Sequence, residues 1–180
     1  MTKQFLEETK RELTNGHSKK GHPFRYFTLA TANENKVRQR TVVLRKLLPD
    51  LNLLFYTDAR TFKVSEINQN NSVSALFYHP KKLMQVRVEG KARIITDPKS
   101  LSNYWGNIPE KSKKDYITKS RPGSMLKNPD NVEYLENEHH FCAIKIIPSA
   151  LEYLRLKRPN HLRVLFTKIK EDWEGEFLVP

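Results

Sequence analysis

The segment VRQRTVVLRKLLPDLNLLFYTDARTFK, residues 37–63, decides the fold of this chain. It holds two short runs, 41–44 and 53–57, built from the β-branched, aliphatic and aromatic residues that strands favour. A Pro-Asp-Leu-Asn turn separates the two runs, and the second run leads into residues 58–63, which have the pattern of a loop that passes into a helix. The segment therefore predicts two strands followed by the N-terminus of a helix.

Cations and hydroxyls flank both of these predicted strands. Arg38 and Arg40 stand before or at the start of the first strand, Arg45 follows it, and Lys63 lies at the start of the helix. Backbone N–H groups, the helix dipole and basic side chains together favour an anion of phosphate size. The alternative that these residues alone leave open is a β-hairpin whose charged ends are solvated.

Further strands are predicted on both sides of this segment. Residues 25–32 are strand-like and end at an Asn33-Glu34-Asn35 turn, and residues 72–78 form another such run. Apolar and polar residues alternate over 84–94, which predicts a strand with one apolar face and one polar face, and Gln85 is the first residue of the polar face. The other predicted strands are C-terminal, with Pro148 and Pro159 breaking the runs: 140–147, 151–156, 162–169 and 174–179.

Helices are predicted around these strands. Residues 2–14 have the apolar spacing of an amphipathic helix, with Asn15-Gly16 as its C-terminal stop. Asp97-Pro98 supplies a cap and a first-turn proline for a second helix, and Asp130 caps a short later one. The predicted organisation is a single domain, 1–180, with an N-terminal helix at 1–16, a helical insertion at 97–138 that includes a basic segment at 109–120, and C-terminal strands at 140–180.

Length and composition fit a mainly β protein with peripheral helices. A chain of 180 residues is long enough to bury roughly 70% of the surface that its unfolded form exposes. The strand spacing is that of a meander or barrel rather than of βαβ units. Cys142 is the single cysteine, which excludes an internal disulfide and favours a reducing compartment. Since no apolar run approaches the ~20 residues of a membrane span and the N-terminus lacks a signal-peptide pattern, we expect a cytoplasmic protein with no membrane partner.

The formal net charge of +12 raises the question of an anionic partner. Basic residues concentrate at 111–127 and 155–170, as they do in some nucleic-acid-binding proteins. The sequence lacks zinc spacing, a helix-turn-helix pattern and the aromatic-glycine motif of RNA-recognition sheets, so nucleic acid is the less favoured partner. A small phosphorylated ligand or a solvated basic face are the alternatives. The six histidines show no metal-ligand spacing, and we predict no metal site.

Four motifs, taken in order, resemble those of the pyridoxamine 5′-phosphate oxidase family, and more particularly its FMN-binding split-barrel relatives. The motifs are Arg40-Thr41-Val42-Val43-Leu44-Arg45, Phe55-Tyr56-Thr57, Thr61-Phe62-Lys63 and Gln85-Val86-Arg87-Val88-Glu89-Gly90. The similarity covers residues 25–95, with a weaker one at 140–180. It implies an antiparallel Greek-key split barrel that binds FMN, and a homodimer with two FMN sites at the subunit interface.

The same resemblance implies which residues hold the cofactor. Arg40 and Lys63 would contact the FMN phosphate, with Thr61 where the family usually has a serine. Gln85 would bond the polar edge of the isoalloxazine ring, and Arg163 of the second subunit would reach its N1/O2 side. The remaining cofactor-binding residues that it implies are Thr41, Val42, Val43, Tyr56 and Thr57.

The implied substrate side departs from the family pattern. Arg45, Tyr104 and Ser112 match substrate-contacting positions, but Ile108 falls where the oxidase has an arginine, and Leu154 falls where it has a tryptophan. The closing motif is reduced to Pro159-Asn160-His161-Leu162-Arg163. His161 is a candidate substrate-binding residue and general acid, and an exposed loop histidine is the alternative.

We therefore expect an FMN-dependent oxidoreductase that acts on a small molecule other than pyridoxamine 5′-phosphate. Three alternatives stay open at this point. The chain could be a true pyridoxamine 5′-phosphate oxidase, a non-enzymatic FMN carrier or sensor, or a basic nucleic-acid-binding module without a cofactor.

Overall fold

Nine strands form one antiparallel sheet in the computed structural model, which describes residues 1–34 and 36–180. The mainly β prediction, with helices at the periphery, is confirmed. The strands are β1 (Tyr26–Asn33), β2 (Lys36–Val43), β3 (Lys46–Leu47), β4 (Leu53–Asp58), β5 (Ser72–His79), β6 (Met84–Ile94), β7 (Phe141–Arg155), β8 (Leu162–Ile169) and β9 (Asp172–Leu178). The α-helices of the described residues are α1 (Lys3–Ser18), α2 (Phe62–Gln69), α3 (Pro98–Gly106) and α4 (Glu110–Lys113).

The strand order is β2-β1-β5-β6-β7-β4-β3, and β8 and β9 extend the sheet from β7. β7 holds the sheet together because it is 15 residues long and pairs along most of its length with β6. Its first half pairs on the other side with β4, and its second half pairs with β8. The sheet thus divides at β7 into two arms.

The main core lies on one face of the sheet, where alternate side chains of the strands meet. Phe27, Phe77, Val86, Tyr153 and Phe166 are each at most 2% exposed. Their alternation with polar residues is the period-2 pattern seen in the sequence. A second, smaller apolar cluster lies across β4 from the main core and includes Leu54, Ile108, Tyr116, Phe141 and Ala143.

The strand break predicted at Pro148 is wrong, because β7 continues through it. The register between β6 and β7 shifts there: Gly90 pairs with Pro148 and Glu89 pairs with Ala150, which leaves Ser149 as the extra residue of a β-bulge. A proline has no N–H to donate, and a bulge is one of the places where a sheet accommodates it.

The predicted stop of the first helix at Asn15-Gly16 is also wrong, since α1 continues to Ser18. Gly16 is buried, and a Cβ at this position would lie 2.6 Å from the carbonyl oxygen of Phe24. The glycine therefore permits close approach of the backbone at 23–25 and does not cap the helix.

The insertion between β6 and β7 contains less helix than predicted. Asp97 caps α3 as expected, with its carboxylate accepting a hydrogen bond of 2.8 Å from the Ser100 N–H. The helix predicted after Asp130 is wrong, because only a 3₁₀ turn forms there and Asn128 caps it. Glu133, three residues after Asp130, pairs with Lys119 at 2.8 Å. The basic segment 109–120 is helical only in α4 and one following 3₁₀ turn.

Two further sequence predictions concern the turn at residues 33–35 and membrane-spanning helices. In the turn predicted at 33–35, Asn35 lies outside the described residues. None of the helices that the structure describes is long and apolar enough to cross a membrane.

Candidate functional site

Arg40 of β2 and Lys63 of α2 line the same concavity, which has a volume of about 370 Å³. We call this concavity the phosphate cradle. It lies at the N-terminus of α2, where unpaired helical N–H groups and the helix dipole favour an anion. Its lining residues are Arg38, Gln39, Arg40, Thr61, Phe62, Lys63 and Pro122.

A buried carboxylate holds Arg40 in place. Arg40 donates hydrogen bonds to Thr31 Oγ1 at 2.6 Å and to Glu66 Oε2 at 3.1 Å, and the Thr31 hydroxyl donates to the same carboxylate at 2.5 Å. Arg38 pairs with the other oxygen of Glu66. Burial opposes the charge of Glu66, but hydrogen bonds from Thr31, Arg38 and Arg40 outweigh it and lower the pKa of the carboxyl. The Glu66 carboxylate thus orients two arginines, and these three side chains together keep one net positive charge.

Lys63 carries a charge that the protein itself does not neutralise. Its ammonium donates to Thr57 Oγ1 at 2.9 Å, and no carboxylate oxygen of residues 1–34 or 36–180 lies within 4.0 Å of it. Burial first, and then the neighbouring charge of Arg40, lower the pKa of Lys63. An ammonium has three protons to donate, and here one is used, so a bound anion would satisfy the rest.

The loop before α2 is fixed by contacts with the distant insertion. Arg60 forms a two-point ion pair with Asp58 at 2.7 and 3.1 Å and also donates to the carbonyl oxygen of Thr118 at 2.8 Å. Arg121 donates to the carbonyl oxygen of Arg60 at 2.6 Å and stacks 4.6 Å from the ring centre of Phe62. The insertion therefore closes one side of the phosphate cradle.

A second group of candidate residues lies on the other side of β4, and we call it the tyrosine cluster: Arg45, Tyr56, Tyr104 and Tyr116. The Arg45 guanidinium lies 5.6 Å from the ring centre of Tyr56 and donates to the Tyr116 hydroxyl at 3.4 Å. The rings of Tyr56 and Tyr104 are 5.8 Å apart. Burial, and then the neighbouring Tyr104, raise the pKa of Tyr56 to about 12, so this phenol stays protonated.

The path of the chain explains why Arg40 lies in the phosphate cradle and Arg45 lies in the tyrosine cluster. β2 ends at Val43, and the N–H of Arg45 then bonds to the carbonyl oxygen of Leu54 on β4. Arg45 consequently turns to the outer side of β4, where Tyr56 lies, whereas Thr57 faces the cradle. The two groups are one residue apart along β4, at Tyr56 and Thr57.

Two of the predicted substrate residues, Ser112 and His161, form no hydrogen bond with the tyrosine cluster within residues 1–34 and 36–180. Among the described residues, no hydrogen bond joins the Ser112 hydroxyl to Arg45, Tyr56 or Tyr104. His161 is exposed in the β7–β8 loop, and its Nδ1 accepts a hydrogen bond of 3.1 Å from the Lys157 N–H.

The other predicted cofactor residues lie mostly on the open face of the sheet, opposite the main core. Gln85, Leu154 and Arg163 form one row across β6, β7 and β8. Arg163 donates to Glu152 of its own chain at 2.9 Å. Thr41 and Val43 also face this side, because they pair with Thr28 and Tyr26, whereas Val42 is buried in the main core. A single chain therefore does not bring Gln85 or Arg163 to the cradle.

Cys142 and a group of three side chains near α1 lie outside the cradle and lack the chemistry of a site. Burial raises the pKa of Cys142 to about 11, which keeps it a thiol. Glu12, His22 and His79 could surround an ion, but the Nδ1 atoms of both histidines accept backbone hydrogen bonds, which places their protons on Nε2. Lys82 also pairs with Glu12 at 2.5 Å. The cluster anchors α1 and does not suit a metal.

Sequence reasoning missed Glu66 and Arg121. Glu66 lies three residues after Lys63, a spacing that places both side chains on one helical face, so a local signal for it existed. Arg121 has no such signal, because its contact with Arg60 spans 61 residues.

Comparisons with known proteins agree with this fold. The family model described as pyridoxamine 5′-phosphate oxidase, FMN-binding domain, matches residues 3–96, which include Arg40, Lys63 and Gln85 but not Tyr104 or Arg163. A pyridoxine/pyridoxamine 5′-phosphate oxidase of Cytophaga hutchinsonii is 33% identical over 163 residues, which cover 83% of this chain and 74% of that protein. One of Legionella pneumophila is 27% identical over 168 residues, which cover 86% and 77%.

Two solved structures show the same architecture. A pyridoxamine 5′-phosphate oxidase-related, FMN-binding protein of Nostoc punctiforme has a TM-score of 0.80 at 23% identity and covers 98% of this chain and 97% of its own. PhzG of Burkholderia lata, in complex with tetrahydrophenazine-1-carboxylic acid, has a TM-score of 0.74 at 16% identity, with 99% and 90% covered. At these identities the likeness concerns the fold alone, and the predicted split barrel is confirmed.

Proposed function

The chain belongs to the pyridoxamine 5′-phosphate oxidase family of FMN-binding proteins, and from this premise we propose that it is an FMN-dependent oxidoreductase acting on a small molecule. The observation that carries the proposal is the convergence of Arg40 and Lys63 on the phosphate cradle. Bound FMN supplies two-electron chemistry at its ring, while the protein supplies orientation and charge.

The cradle suits a phosphate monoester for two reasons. The Lys63 ammonium is partly desolvated and unneutralised, and Arg40 is held rigidly by Glu66 with part of its surface open. Thr61 adds a hydroxyl at the start of α2, and it already donates to the Asp58 carbonyl at 2.8 Å, which fixes its position. A dianion entering here would meet two cations and the helix N-terminus without any rearrangement of the backbone.

The proposed substrate differs from pyridoxamine 5′-phosphate. Ile108, at the position where the resemblance implies an arginine, is 5% exposed and packs into the second apolar cluster. Loss of a charged hydrogen bond removes about 1.5–3 kcal/mol of binding free energy, or roughly tenfold to a hundredfold in affinity. The tyrosine cluster therefore retains a ring-binding surface and lacks part of the charge that a phosphate would need.

We further propose that the functional unit is a homodimer. Gln85 and Arg163 lie on the open face of the sheet and the cradle lies at the opposite face, so one chain alone leaves the proposed flavin site incomplete. A second copy laid against the open face would supply the missing side, as the resemblance implies for Arg163.

Reconstitution with FMN tests the cofactor proposal. We expect purified protein to bind FMN with visible flavin absorbance, and Arg40→Ala to weaken binding by roughly tenfold to a hundredfold because a charged hydrogen-bond donor is lost. Arg93→Ala is the matched control, since Arg93 is an exposed arginine on β6 outside the cradle. Unchanged affinity in Arg40→Ala would remove Arg40 from the site, and a protein that stays colourless with excess FMN would contradict the flavoprotein proposal.

The runner-up function is true pyridoxamine 5′-phosphate oxidase, which is favoured by the name shared by the two curated relatives. A peroxide-release assay with pyridoxamine 5′-phosphate separates the two proposals. We expect the FMN-loaded protein to release little peroxide, and turnover at a rate typical of enzymes would favour the runner-up.

A further inference from the structure

We propose that opposite charges align the two chains of the homodimer: an acidic stripe on β9 of one chain faces a basic row that begins on β3 of its partner. The inference deepens the proposed function and rests on it in one respect, namely that a second copy covers the open face of the sheet. It adds which parts of that face meet and which chemistry selects them.

The acidic stripe consists of Asp172, Glu174 and Glu176 on the edge strand β9, and all three are exposed. Side chains alternate between the two faces of a strand. Gly175 pairs with Phe166 of the main core, so the three acids lie on the open face. None of their carboxylates has a basic nitrogen within 4.0 Å in residues 1–34 or 36–180.

The basic row crosses the other arm of the same sheet. Lys46 of β3 pairs with Leu54 of β4. Leu54 pairs with Lys145 of β7, which pairs in turn with Arg93 of β6. Directly paired residues share a face, and Ile146 next to Lys145 belongs to the main core, so the row also lies on the open face. No carboxylate of the described chain lies within 4.0 Å of these three cations.

The acidic stripe stands out in a chain with a formal net charge of +12. The last ten residues, 171–180, contain four acids and no lysine or arginine. Two copies of a strongly basic chain repel each other, so a stable pair needs opposite charges where the copies meet. Two signs that are segregated to separate arms of one face meet this need, because each copy then offers what the other lacks.

The strand order places the stripe and the row at matching positions. One edge of β7 pairs with β6, and the other edge pairs with β4 in its first half and with β8 in its second half. β3 and β9 therefore lie two strands from β7 on the same side. A two-fold axis across the middle of β7, between two facing sheets, exchanges the halves of β7 and places β9 of one chain over β3 of the other.

This arrangement agrees with the proposed role of Arg163 and ranks the cations of the row. It places β8, which carries Arg163, over β4 of the partner, as the proposed completion of the flavin site requires. Lys46 lies directly under the acidic stripe of the partner, and Lys145 is the next cation of the row. Arg93 lies at the opposite edge of β7 and is furthest from it. The contact occurs twice in each dimer, because the interface is two-fold symmetric.

Charge reversal followed by mixing tests the proposal. One variant carries Glu174→Lys with Glu176→Lys, and the other carries Lys46→Glu with Lys145→Glu. We expect the wild type to be a dimer and each variant to have a dimer dissociation constant raised at least roughly tenfold, because like charges then face each other. Reversal is used because an exposed ion pair that is merely deleted costs little.

An equimolar mixture of the two variants should regain the wild-type dissociation constant as a heterodimer. In the mixed pair, one contact joins lysines of β9 to the new glutamates, and the other joins the original acids to the original lysines. Analytical ultracentrifugation of the full-length chain with excess FMN measures all of these species, and circular dichroism reports whether each variant is folded.

Lys19→Glu with Lys20→Glu is the matched control, because these exposed lysines follow α1 and lie outside the sheet, and it should leave the dimer unchanged. An equal loss in this control would overturn the inference. Reversed variants that stay dimeric, or that are monomeric and do not pair on mixing, would overturn it while the homodimer stands. A monomeric wild type would instead contradict the homodimer itself, and flavin absorbance reports the cofactor proposal separately.

Discussion

At the scale of single residues, Lys63 lies where its surroundings disfavour the positive charge of its ammonium group. Burial and the neighbouring Arg40 both lower its pKa, and the one hydrogen bond that it donates within the described residues goes to a neutral hydroxyl, that of Thr57. A bound phosphate dianion would reverse this balance by adding two negative charges next to the ammonium. Binding of the phosphate and protonation of Lys63 are therefore linked.

This linkage predicts that affinity for FMN falls in alkaline solution. In the free protein Lys63 loses its proton at a pH below its ordinary value of 10.5, because its pKa is lowered. As the pH rises through that lowered pKa, binding must also re-protonate the amine, and the dissociation constant increases. Fluorescence titrations of FMN from about pH 7.5 upward measure the effect free of the second phosphate ionisation, which lies near pH 6.

Two substitutions separate this effect from general alkaline instability. Lys63→Met should bind FMN roughly tenfold or more weakly at neutral pH and should lose the alkaline decline. Lys99→Met, which removes an exposed lysine of α3, should retain both the affinity and the decline. A decline of the same size in Lys63→Met would mean that another group titrates.

The phosphate cradle shows how far a sequence can predict single residues. Arg40 and Lys63 stand in short local motifs, so both could be proposed before the structure was known. The partner that orients Arg40 could also have been found, because Glu66 shares a helical face with Lys63. Arg121 could not, since nothing in its local sequence indicates that it stacks on Phe62 across the fold.

At the scale of elements, the pairing of β6 with β7 depends on the bulge at Ser149. A Cβ on Gly90 would lie 2.1 Å from the carbonyl oxygen of Ile147, a backbone atom that cannot move without displacing β7. Glycine is therefore needed here for close approach of two backbones and not for an unusual backbone angle.

We predict that Gly90→Ala lowers the free energy of unfolding by about 1–3 kcal/mol, which is typical of overpacking. Urea denaturation followed by circular dichroism measures the change. Gly106→Ala is the matched control, because a Cβ there has no heavy atom within 4 Å. Since alanine favours helix over glycine by up to about 1 kcal/mol, the control should be neutral or slightly stabilising. Equal stability of Gly90→Ala and the wild type would show that the bulge adjusts freely.

Elements with strong periodicity were predictable, and elements set by tertiary contacts were not. The alternation at 84–94 predicted β6 with its observed bounds. Pro148, Gly16 and Asp130 each have a local meaning as breaker, stop or cap, and in each case the fold overrode it. The bulge accommodates Pro148, the 23–25 backbone packs on Gly16, and Asn128 takes the capping role expected of Asp130.

At the scale of the whole molecule, the sheet has one face buried in the main core and one open face. The open face carries Leu76 and Tyr78 at 36% and 47% exposure, and beside them Arg87 and Arg163 share the single carboxylate of Glu152. Antiparallel sheets commonly leave one face to solvent, but such faces are then mostly polar. Exposed apolar side chains next to this ion network fit the proposed homodimer, in which a second copy of the chain covers the open face.

Local patterns could not reveal this division of the sheet. Periodicity predicts that each strand has two faces, but the strand order β2-β1-β5-β6-β7-β4-β3 decides which faces meet. The short sequence motifs likewise place Gln85 and Arg40 in one site only through the family resemblance. In the structure the two side chains lie on opposite faces of the sheet, and the proposed homodimer would bring them into one site.

The proposed homodimer predicts a specific response to a charge placed on the open face. Light scattering should find the wild type as a dimer, and Leu76→Glu should shift it towards monomer, because an apolar contact is lost and two-fold symmetry places the added charge in the interface twice. FMN affinity should fall with it by at least roughly tenfold, since Gln85 and Arg163 would no longer complete the site. Met125→Glu is the control, because Met125 is a fully exposed apolar residue of the insertion. A monomeric Leu76→Glu variant that binds FMN with wild-type affinity would show that one chain holds the cofactor, and the arrangement of Gln85 and Arg163 would then need another explanation.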